Sequence, residues 1–293
     1  MINKLIIVAK GIAMGAADVV PGVSGGTIAL LTGIYPRLIN AITGVNIDSI
    51  KYFFQGKFKQ FWQAIDGNFV LPLLIGIAAA FLLLAHPIKY AIQYFPIPTW
   101  SFFFGLIIAS ALLIVQHIDN KKLNQYLWLI PGLLFGLWIG SLSSIPFPSN
   151  NIALLIAGML AISAMILPGI SGSFILVLLG MYEILITAVA DRNWTTLLIF
   201  ICGAVIGLMV FSRIIKIVLN RFYNVTLFFL SGLMIGSLVK VWPWKSNELV
   251  NIMPSSHAQP ETVMALSMMV FAFILVFSVD FLGRKLKQQN PNI

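Results

Sequence analysis

Charged residues are scarce in this chain. They make up 9% of its 293 residues, whereas hydrophobic residues make up 59%. Soluble domains carry roughly 25% charged residues, so the composition excludes a soluble globular protein and indicates an integral membrane protein. With a single cysteine, Cys202, the chain cannot form an intramolecular disulfide. Its three histidines lack metal-ligand spacing, so we expect no metal and no other cofactor.

Acidic residues are also few, nine against eighteen basic residues, which gives a net charge of +9. The basic residues are scattered at the ends of apolar runs rather than gathered in one patch. This distribution is typical of the positive-inside bias of membrane proteins. We therefore expect a membrane environment and no nucleic-acid partner.

Long alternation of polar and apolar residues, the pattern of transmembrane β-strands, is absent as well, so the spans are predicted to be helical. Six apolar runs could each cross a bilayer, which takes roughly 20 residues per helix. These runs are 69–88, 100–117, 126–142, 196–219, 225–242 and 263–282. Two longer apolar stretches, 5–45 and 152–190, are interrupted by proline and glycine.

The two interrupted stretches carry the same motif. P-G-V-S-G-G-T at 21–27, the first tip, returns as P-G-I-S-G-S-F at 168–174, the second tip. Proline and glycine do not continue a helix comfortably, and in lipid the freed backbone groups need protein or a water-filled cavity. Broken segments at matching places in two halves point to the central site of a transporter.

A second block of similarity, between 76–110 and 203–237, extends the repeat. The sequence therefore predicts one membrane domain made of two repeats, 1–145 and 146–293, each with one broken segment followed by three spans. The first repeat also carries a longer loop, roughly 46–66.

The basic residues favour an inverted arrangement of the two repeats. If each broken segment re-enters and leaves on its own side, a repeat crosses three times and the second repeat is inverted. If it crosses once, the repeats are parallel, and Lys51, Lys57 and Lys59 lie outside. The re-entrant arrangement places these lysines in the cytoplasm, as the positive-inside rule requires. We therefore predict an all-α fold of two inverted repeats, with both termini cytoplasmic.

Each tip is predicted to lie near mid-bilayer, with a half-helix beginning just after it. The start of a helix presents unpaired N–H groups and the positive end of its dipole, which attract anions. Hydroxyl groups add donors, and glycines permit close approach to the backbone. The predicted anion cradle consists of Ser24, Gly25, Gly26, Thr27, Ser171, Gly172 and Ser173. The alternative is that these small residues only let helices pack closely.

Three ionisable residues inside the broken segments are further candidates. Charge at membrane depth is costly, so such residues usually face a cavity or a partner. Asp18 stands just before the first tip. Arg37 and Glu183 are predicted to lie in the half-helices that leave the tips, roughly 15–18 Å along the helix axis from the motif serines. Snorkelling to the lipid headgroups is the alternative for Arg37.

An enzyme is a second possible interpretation of the tips. G-x-S-G at 22–25 and 169–172 resembles the nucleophile motif of rhomboid intramembrane serine proteases. That chemistry needs a histidine base within hydrogen-bond reach of the serine, and no histidine lies in the middle of a span. A hydrolase also has no reason to carry its serine twice in opposite orientations. We therefore do not expect an enzyme.

Longer signatures around both tips resemble a known family. A-A-D-V-V-P-G-V-S-G-G-T at 16–27, followed by L-x-G-I-Y at 31–35, is similar to the start of the bacterial polyprenyl-phosphate transporter family. L-P-G-I-S-G-S-F at 167–174 and L-L-G-M-Y at 178–182 fit the second signature of that family. The resemblance covers nearly the whole chain.

The resemblance implies a carrier that returns undecaprenyl phosphate from the outer to the cytoplasmic leaflet of the bacterial inner membrane by alternating access. A secondary transporter of a small soluble anion is the main alternative. A lateral opening between spans would favour the lipid, and a sealed pore with wide aqueous mouths would favour the soluble anion. The driving ion and the oligomeric state stay open, a homo-oligomer included.

A phosphate substrate assigns roles to the three charged residues. A phosphate monoester carries about −1.5 to −2 charges, which half-helix dipoles of about +0.5 each cannot neutralise. We therefore expect Arg37 to help bind it. Asp18 should be protonated when the phosphate binds, or pair with Arg37 when the site is empty. Glu183 is the equivalent candidate on the outer side, and either acid could couple proton movement to release of the headgroup.

Overall fold

The computed structural model describes residues 2–20, 23–142, 148, 150–246 and 250–289. Throughout these residues the chain is helical apart from turns, loops and one isolated bridge between Lys245 and Asn251. The helices of the first half are α1 Ile2–Val19, α2 Gly25–Leu31, α3 Tyr35–Gly44, α4 Ile47–Phe54, α5 Phe58–Ala64, α6 Gly67–Tyr94, α7 Pro96–His117 and α8 Leu129–Ser141. Those of the second half are α9 Asn151–Ile166, α10 Gly172–Leu178, α11 Tyr182–Ala190, α12 Trp194–Arg221, α13 Tyr223–Ser237 and α14 Thr262–Gln289.

Six helical segments in the described residues are long and apolar enough to cross a membrane. Four are α6, α7, α12 and α14, and the other two are α8 and α13 extended by the short 3-10 turns Leu123–Trp128 and Leu238–Lys240. Each overlaps one of the six predicted apolar runs. This confirms the prediction of an all-α integral membrane protein.

Each broken segment contains two breaks rather than one. α2 ends in a turn in which the N–H of Gly33 bonds to the carbonyl of Leu30 and the N–H of Ile34 bonds to the carbonyl of Ala29. Gly33 has φ +71° and Gly180, in the matching turn, has φ +66°, and glycine adopts this left-handed conformation without steric cost. The chain direction changes by 110° between α10 and α11, at the turn that contains Gly180.

The second break corrects one expectation. The half-helices that leave the tips are only seven residues long, so neither Arg37 nor Glu183 lies on the helix that begins at its tip. Both residues belong to the next helix, α3 or α11. The predicted distance along a single helix axis is therefore wrong.

The predicted loop at 46–66 is a pair of short helices, α4 and α5. Asn46 begins α4 with reciprocal hydrogen bonds, because its side chain accepts from the N–H of Ser49 while its own N–H donates to the Ser49 hydroxyl, both at 2.9 Å. Such a capping box satisfies helix-start N–H groups and favours a helix here. The 46–66 segment is therefore helical over most of its length rather than a plain loop.

Equivalent helices of the two halves make equivalent contacts. α1 packs along α6 as α9 packs along α12, while α7 packs on α14 and α8 on α13. A Cβ added at Gly76 would meet the carbonyl of Val8, and one at Gly203 would meet the carbonyl of Leu155. Small residues thus let these helix backbones approach closely. The main buried core includes residues of both broken segments and of α13.

Candidate functional site

The two tips lie in contact with each other. The hydroxyl oxygen of Thr27 accepts a buried hydrogen bond from the N–H of Gly169 at 3.0 Å. The Ser24 hydroxyl lies 3.3 Å from the carbonyl oxygens of both Met165 and Leu167. These contacts join segments more than a hundred residues apart in the chain. Pro21 and Gly22 of the first tip lie outside the described residues.

The first tip is bound by the chain's own polar groups. The Ser24 side chain accepts from the N–H of Gly26 at 3.1 Å, as an N-cap residue does. The carboxylate of Asp18, at the end of α1, accepts from the N–H of Gly25 at 2.7 Å. Ser24 to Leu30 are all buried. Two N–H groups that the sequence analysis assigned to an anion are therefore already bonded within the protein.

The tip glycines permit close contacts within the chain itself. A Cβ added at Gly25 would meet the carboxylate of Asp18. One at Gly26 would lie 2.8 Å from the carbonyl oxygen of Ile166, and one at Gly172 would lie 2.8 Å from that of Ala161. A valine at Gly25 or Gly172 would therefore disturb the packing before it obstructed a ligand.

The second tip is less fully bonded. Ser171 is the N-cap residue of α10 but makes no capping hydrogen bond with its side chain. Its hydroxyl lies instead 2.8 Å from that of Ser173, and either can be the donor. Among the described residues neither hydroxyl is bonded to a histidine. The arrangement supplies two adjacent hydroxyl groups and no serine–histidine pair of the kind that a hydrolase needs.

Arg37 does not pair with Asp18. Its Nε donates to Asp66 Oδ2 at 2.6 Å, and its Nη2 donates to Asp66 Oδ1 at 3.1 Å. Its guanidinium also lies over the Phe69 ring, 4.5 Å from the centroid. Asp66 directly precedes α6 and offers both oxygens to the planar guanidinium fork, a geometry that favours this pairing. The prediction of an Asp18–Arg37 pair is therefore wrong.

Glu183 is exposed in the first turn of α11. A carboxylate is favourable there because of the positive end of the helix dipole. The hydrogen bonds that join the tips do not include it. Its proposed contact with substrate stays a prediction.

Two lysines were missed: Lys240, which lies at the second tip, and Lys245, which bonds to the backbone of Lys240. The Nζ of Lys240 lies 4.4 Å from the centroid of the Phe174 ring, one residue after Ser173. Lys240 also lines a narrow cavity of about 10 Å³ together with Ser171 and other residues of the second tip, room for about one water molecule. The Nζ of Lys245 donates to the backbone carbonyl of Lys240 at 2.9 Å.

Lys245 is in unusual surroundings for a lysine. Its Nζ lies 5.1 Å from the centroid of the Trp100 ring. Burial lowers the pKa of Lys245, and the nearby positive charge of Lys240 lowers it further. The sequence K-V-W-P-W-K at 240–245, in which two lysines flank two tryptophans, was the available signal that these are not ordinary loop lysines.

An apolar groove runs between α7 and α14. Its volume is about 400 Å³ and its lining residues are Gly105, Ile108, Met269, Val270, Phe273, Ile274 and Phe277. The lining offers no charged or hydrogen-bonding side chain. The groove therefore suits a hydrocarbon chain rather than a hydrated ion.

Comparison with known proteins gives a consistent result. Residues 14–260 match the model of a family described as undecaprenyl phosphate translocase-like. The chain is 47% identical over 243 residues to a polyprenyl-phosphate transporter of Vibrio cholerae. The aligned region covers 83% of this chain and 79% of that relative. It is 34% identical over 266 residues to a polyprenyl-phosphate transporter of Staphylococcus aureus, covering 84% and 89% respectively. No solved structure matches the chain.

Proposed function

The chain belongs to the undecaprenyl phosphate translocase-like family, and from that membership we propose that it transports polyprenyl phosphate across a bacterial inner membrane. The named relatives are transporters rather than enzymes, so we propose a transporter and no enzymatic activity. The observation that carries the proposal is the buried hydrogen bond between Gly169 and Thr27, which joins the two signature segments.

The phosphate headgroup would bind where the tips meet. Ser171 and Ser173 are the natural donors, because their hydroxyls are bonded only to each other among the described residues. Ser24 and Thr27 hold the two tips in contact, and Gly26 lets the first tip lie close to the carbonyl of Ile166. Gly25 and Gly172 make their close contacts within their own halves, with Asp18 and Ala161. The carboxylate of Asp18 already accepts from the N–H of Gly25, the group to which an anion at the first tip would bind. The phosphate would therefore displace Asp18 from this N–H, or bind when Asp18 is protonated. Arg37 would have to leave Asp66 to contact the phosphate.

The tail of the lipid would stay in the bilayer. The wholly apolar groove between α7 and α14 offers a surface on which the tail could lie, whereas the choice of a lipid over a small soluble anion rests on the family membership. A phosphate headgroup needs a polar cradle, and its isoprenoid tail needs none. The carrier would then move only the headgroup past the middle of the bilayer.

The proposed direction is from the outer to the cytoplasmic leaflet, by alternating access of two inverted repeats with cytoplasmic termini. The repeated helix contacts of the two halves support two related units that could rock against each other. Coupling to protons through Asp18 or Glu183 completes the proposal, because protonation of an acid and binding of an anion favour each other.

Labelling of single cysteines tests the inverted arrangement. Cys202 is exposed and must first be replaced, for example by Cys202→Ser. In that background we expect a membrane-impermeant thiol reagent to label Ser255→Cys in intact cells and Lys57→Cys only after permeabilisation. Both arrangements place Ser255 outside, so it serves as the internal control. Labelling of Lys57→Cys in intact cells would establish parallel repeats instead.

Lipid transfer in liposomes tests the function. The purified chain is reconstituted with a fluorescent polyprenyl phosphate, and an impermeant quencher reports how much probe reaches the outer leaflet. We expect rapid exchange of the phosphate lipid and slow exchange of the matching polyprenol, which lacks the phosphate. Exchange no faster than in protein-free liposomes would refute the proposal. Flux of inorganic phosphate without lipid exchange would favour the soluble-anion transporter.

A further inference from the structure

Lys240 lies at the second tip, over Phe174 of α10, and the ammonium of Lys245 bonds to the backbone of Lys240. Neither lysine forms an ion pair within the residues that the structure describes. Glu248, three residues after Lys245, lies outside those residues. Neighbouring charges of the same sign repel each other, so the protein holds them together at a cost in free energy.

The loop that carries Lys245 is held in one shape. The N–H of Ile252 donates to the carbonyl of Trp244 at 3.0 Å, next to the bridge between Lys245 and Asn251. The indole N–H of Trp242 donates to the carbonyl of Ile252 at 2.9 Å, and that of Trp244 donates to the carbonyl of Pro260 at 2.7 Å. Both indoles are thus used to fix the backbone. These hydrogen bonds therefore fix the backbone position of Lys245.

The aromatic neighbours hold the ammonium groups without neutralising them. A cation over an aromatic ring gains about 0.5–2 kcal/mol, but the ring carries no net charge. Partly buried charges are normally paired with an opposite charge. Two half-buried lysines without a carboxylate among the described residues therefore indicate an anionic ligand. A phosphate monoester, with about −1.5 to −2 charges, would balance two ammonium groups.

We propose that Lys240 and Lys245 form the cationic part of a phosphate-binding site at the second tip, which receives the phosphate group before it reaches Ser171 and Ser173. This inference rests on the proposed function for the identity of the lipid. The cavity between Lys240 and Ser171 holds only about 10 Å³, too little for a phosphate group. We therefore expect the Lys240 side chain to move away from Phe174 when the phosphate enters.

Binding to the purified full-length chain tests the lysine pair. The probes are a short-chain polyprenyl phosphate, inorganic phosphate and the short-chain polyprenol without phosphate. The variants are Lys240→Gln, Lys245→Gln, the double glutamine change and the double arginine change. Lys89→Gln is the matched control, because Lys89 is exposed and the inverted arrangement predicts it outside, as it does Lys240 and Lys245.

We expect each glutamine change to weaken binding of the polyprenyl phosphate about tenfold or more, as loss of a charge-assisted contact does. The double arginine variant and Lys89→Gln should stay within about threefold of wild type, and binding of polyprenol should not change. Normal thermal unfolding of the variants would show that they are folded. Wild-type affinity in the folded double glutamine variant would overturn the proposal.

Two further measurements ask separate questions. Binding of inorganic phosphate tests whether the site prefers a lipid headgroup, and lipid exchange in liposomes tests the transport function. We expect inorganic phosphate to bind more weakly than the lipid but to lose affinity in the same variants. Equal and competitive binding of inorganic phosphate would overturn the assignment to a lipid headgroup. Absence of lipid exchange by the wild-type chain in liposomes would refute the transport proposal, while the binding data would still decide the role of the lysines.

Discussion

The first and second tips share a motif but differ in electrostatic surroundings. At the first tip a carboxylate, Asp18, accepts the N–H of Gly25. At the second tip Ser171, the residue equivalent to Ser24, makes no capping hydrogen bond with its side chain, and the Lys240 ammonium lies over the neighbouring Phe174 ring. One copy of the motif thus carries a negative charge of its own, and the other faces a positive charge.

This difference shows that the repeat determines the backbone of the tips but not their chemistry. Met165 occupies the position in the second half that corresponds to Asp18, and it uses its backbone carbonyl to contact Ser24. The shared fold therefore does not require an acid at this position. An acid at one tip and lysines at the other would let an anion bind mainly at the second tip while the first regulates its passage.

Breaking the bond between the tips should have the largest effect. Thr27→Val keeps the side-chain shape but removes the hydroxyl that accepts from Gly169. A buried donor left unpaired costs about 1–3 kcal/mol, so we expect a lower unfolding temperature and lipid transfer reduced about tenfold or more. Thr27→Ser keeps the hydroxyl and is the control. Unchanged unfolding and transfer in Thr27→Val would show that this bond does not hold the tips together.

Removing the negative charge of the first tip should have a smaller effect. Asp18→Asn keeps an oxygen that can accept from Gly25 but removes the charge that would repel a phosphate. We expect phosphate-lipid affinity to rise about tenfold, on the scale of a nearby unit charge, and the pH dependence of transfer to flatten. Glu183→Gln, at an exposed carboxylate outside the tips, should change affinity less than about twofold.

The same pair of variants tests proton coupling. Transfer is measured against pH for Asp18→Asn and Glu183→Gln. If both keep the wild-type rate and pH profile, coupling through these acids is wrong. A change in the profile of Glu183→Gln alone would move the proposed coupling from the first tip to the outer end of α11.

The membrane helices could be predicted from the sequence because their cause is local. Long apolar runs must satisfy their backbone groups within one segment in lipid, so all six runs correspond to helices. The meeting of the tips could be predicted from the duplicated motif. The turn after α2 was missed because Thr32-Gly33-Ile34 lies inside an apolar stretch, and the left-handed φ of Gly33 is a backbone property that composition does not reveal.

The charged contacts could not be predicted because they join distant parts of the chain. Arg37 pairs with Asp66, 29 residues away, and this pairing depends on how α3 packs against the start of α6. Lys240 follows α13 yet reaches Phe174 on α10. Such partners are determined by the packing of the helices, which the spacing of residues along the sequence does not specify.

The smallest expected effect concerns the lysines of the second tip and is a dependence of lipid affinity on pH. Burial and the charge of Lys240 lower the pKa of Lys245, so rising pH removes its charge earlier than that of an ordinary lysine. The phosphate is already fully ionised there, since its second pKa is about 6. Affinity for the phosphate lipid should therefore fall on the alkaline side. Lys245→Arg stays charged and should lose this fall while keeping affinity at neutral pH within about twofold.

Titration of Lys245 would not itself cause alkaline unfolding, because its effect on stability has the opposite sign to its effect on binding. Its pKa is lower in the folded protein, so the unfolded chain binds more protons and stability rises with pH through that range. Binding and unfolding measured over the same pH series thus separate the two effects. An equal alkaline fall in Lys245→Arg and wild type would assign it to another group, and Lys240→Arg would then be the next variant to measure.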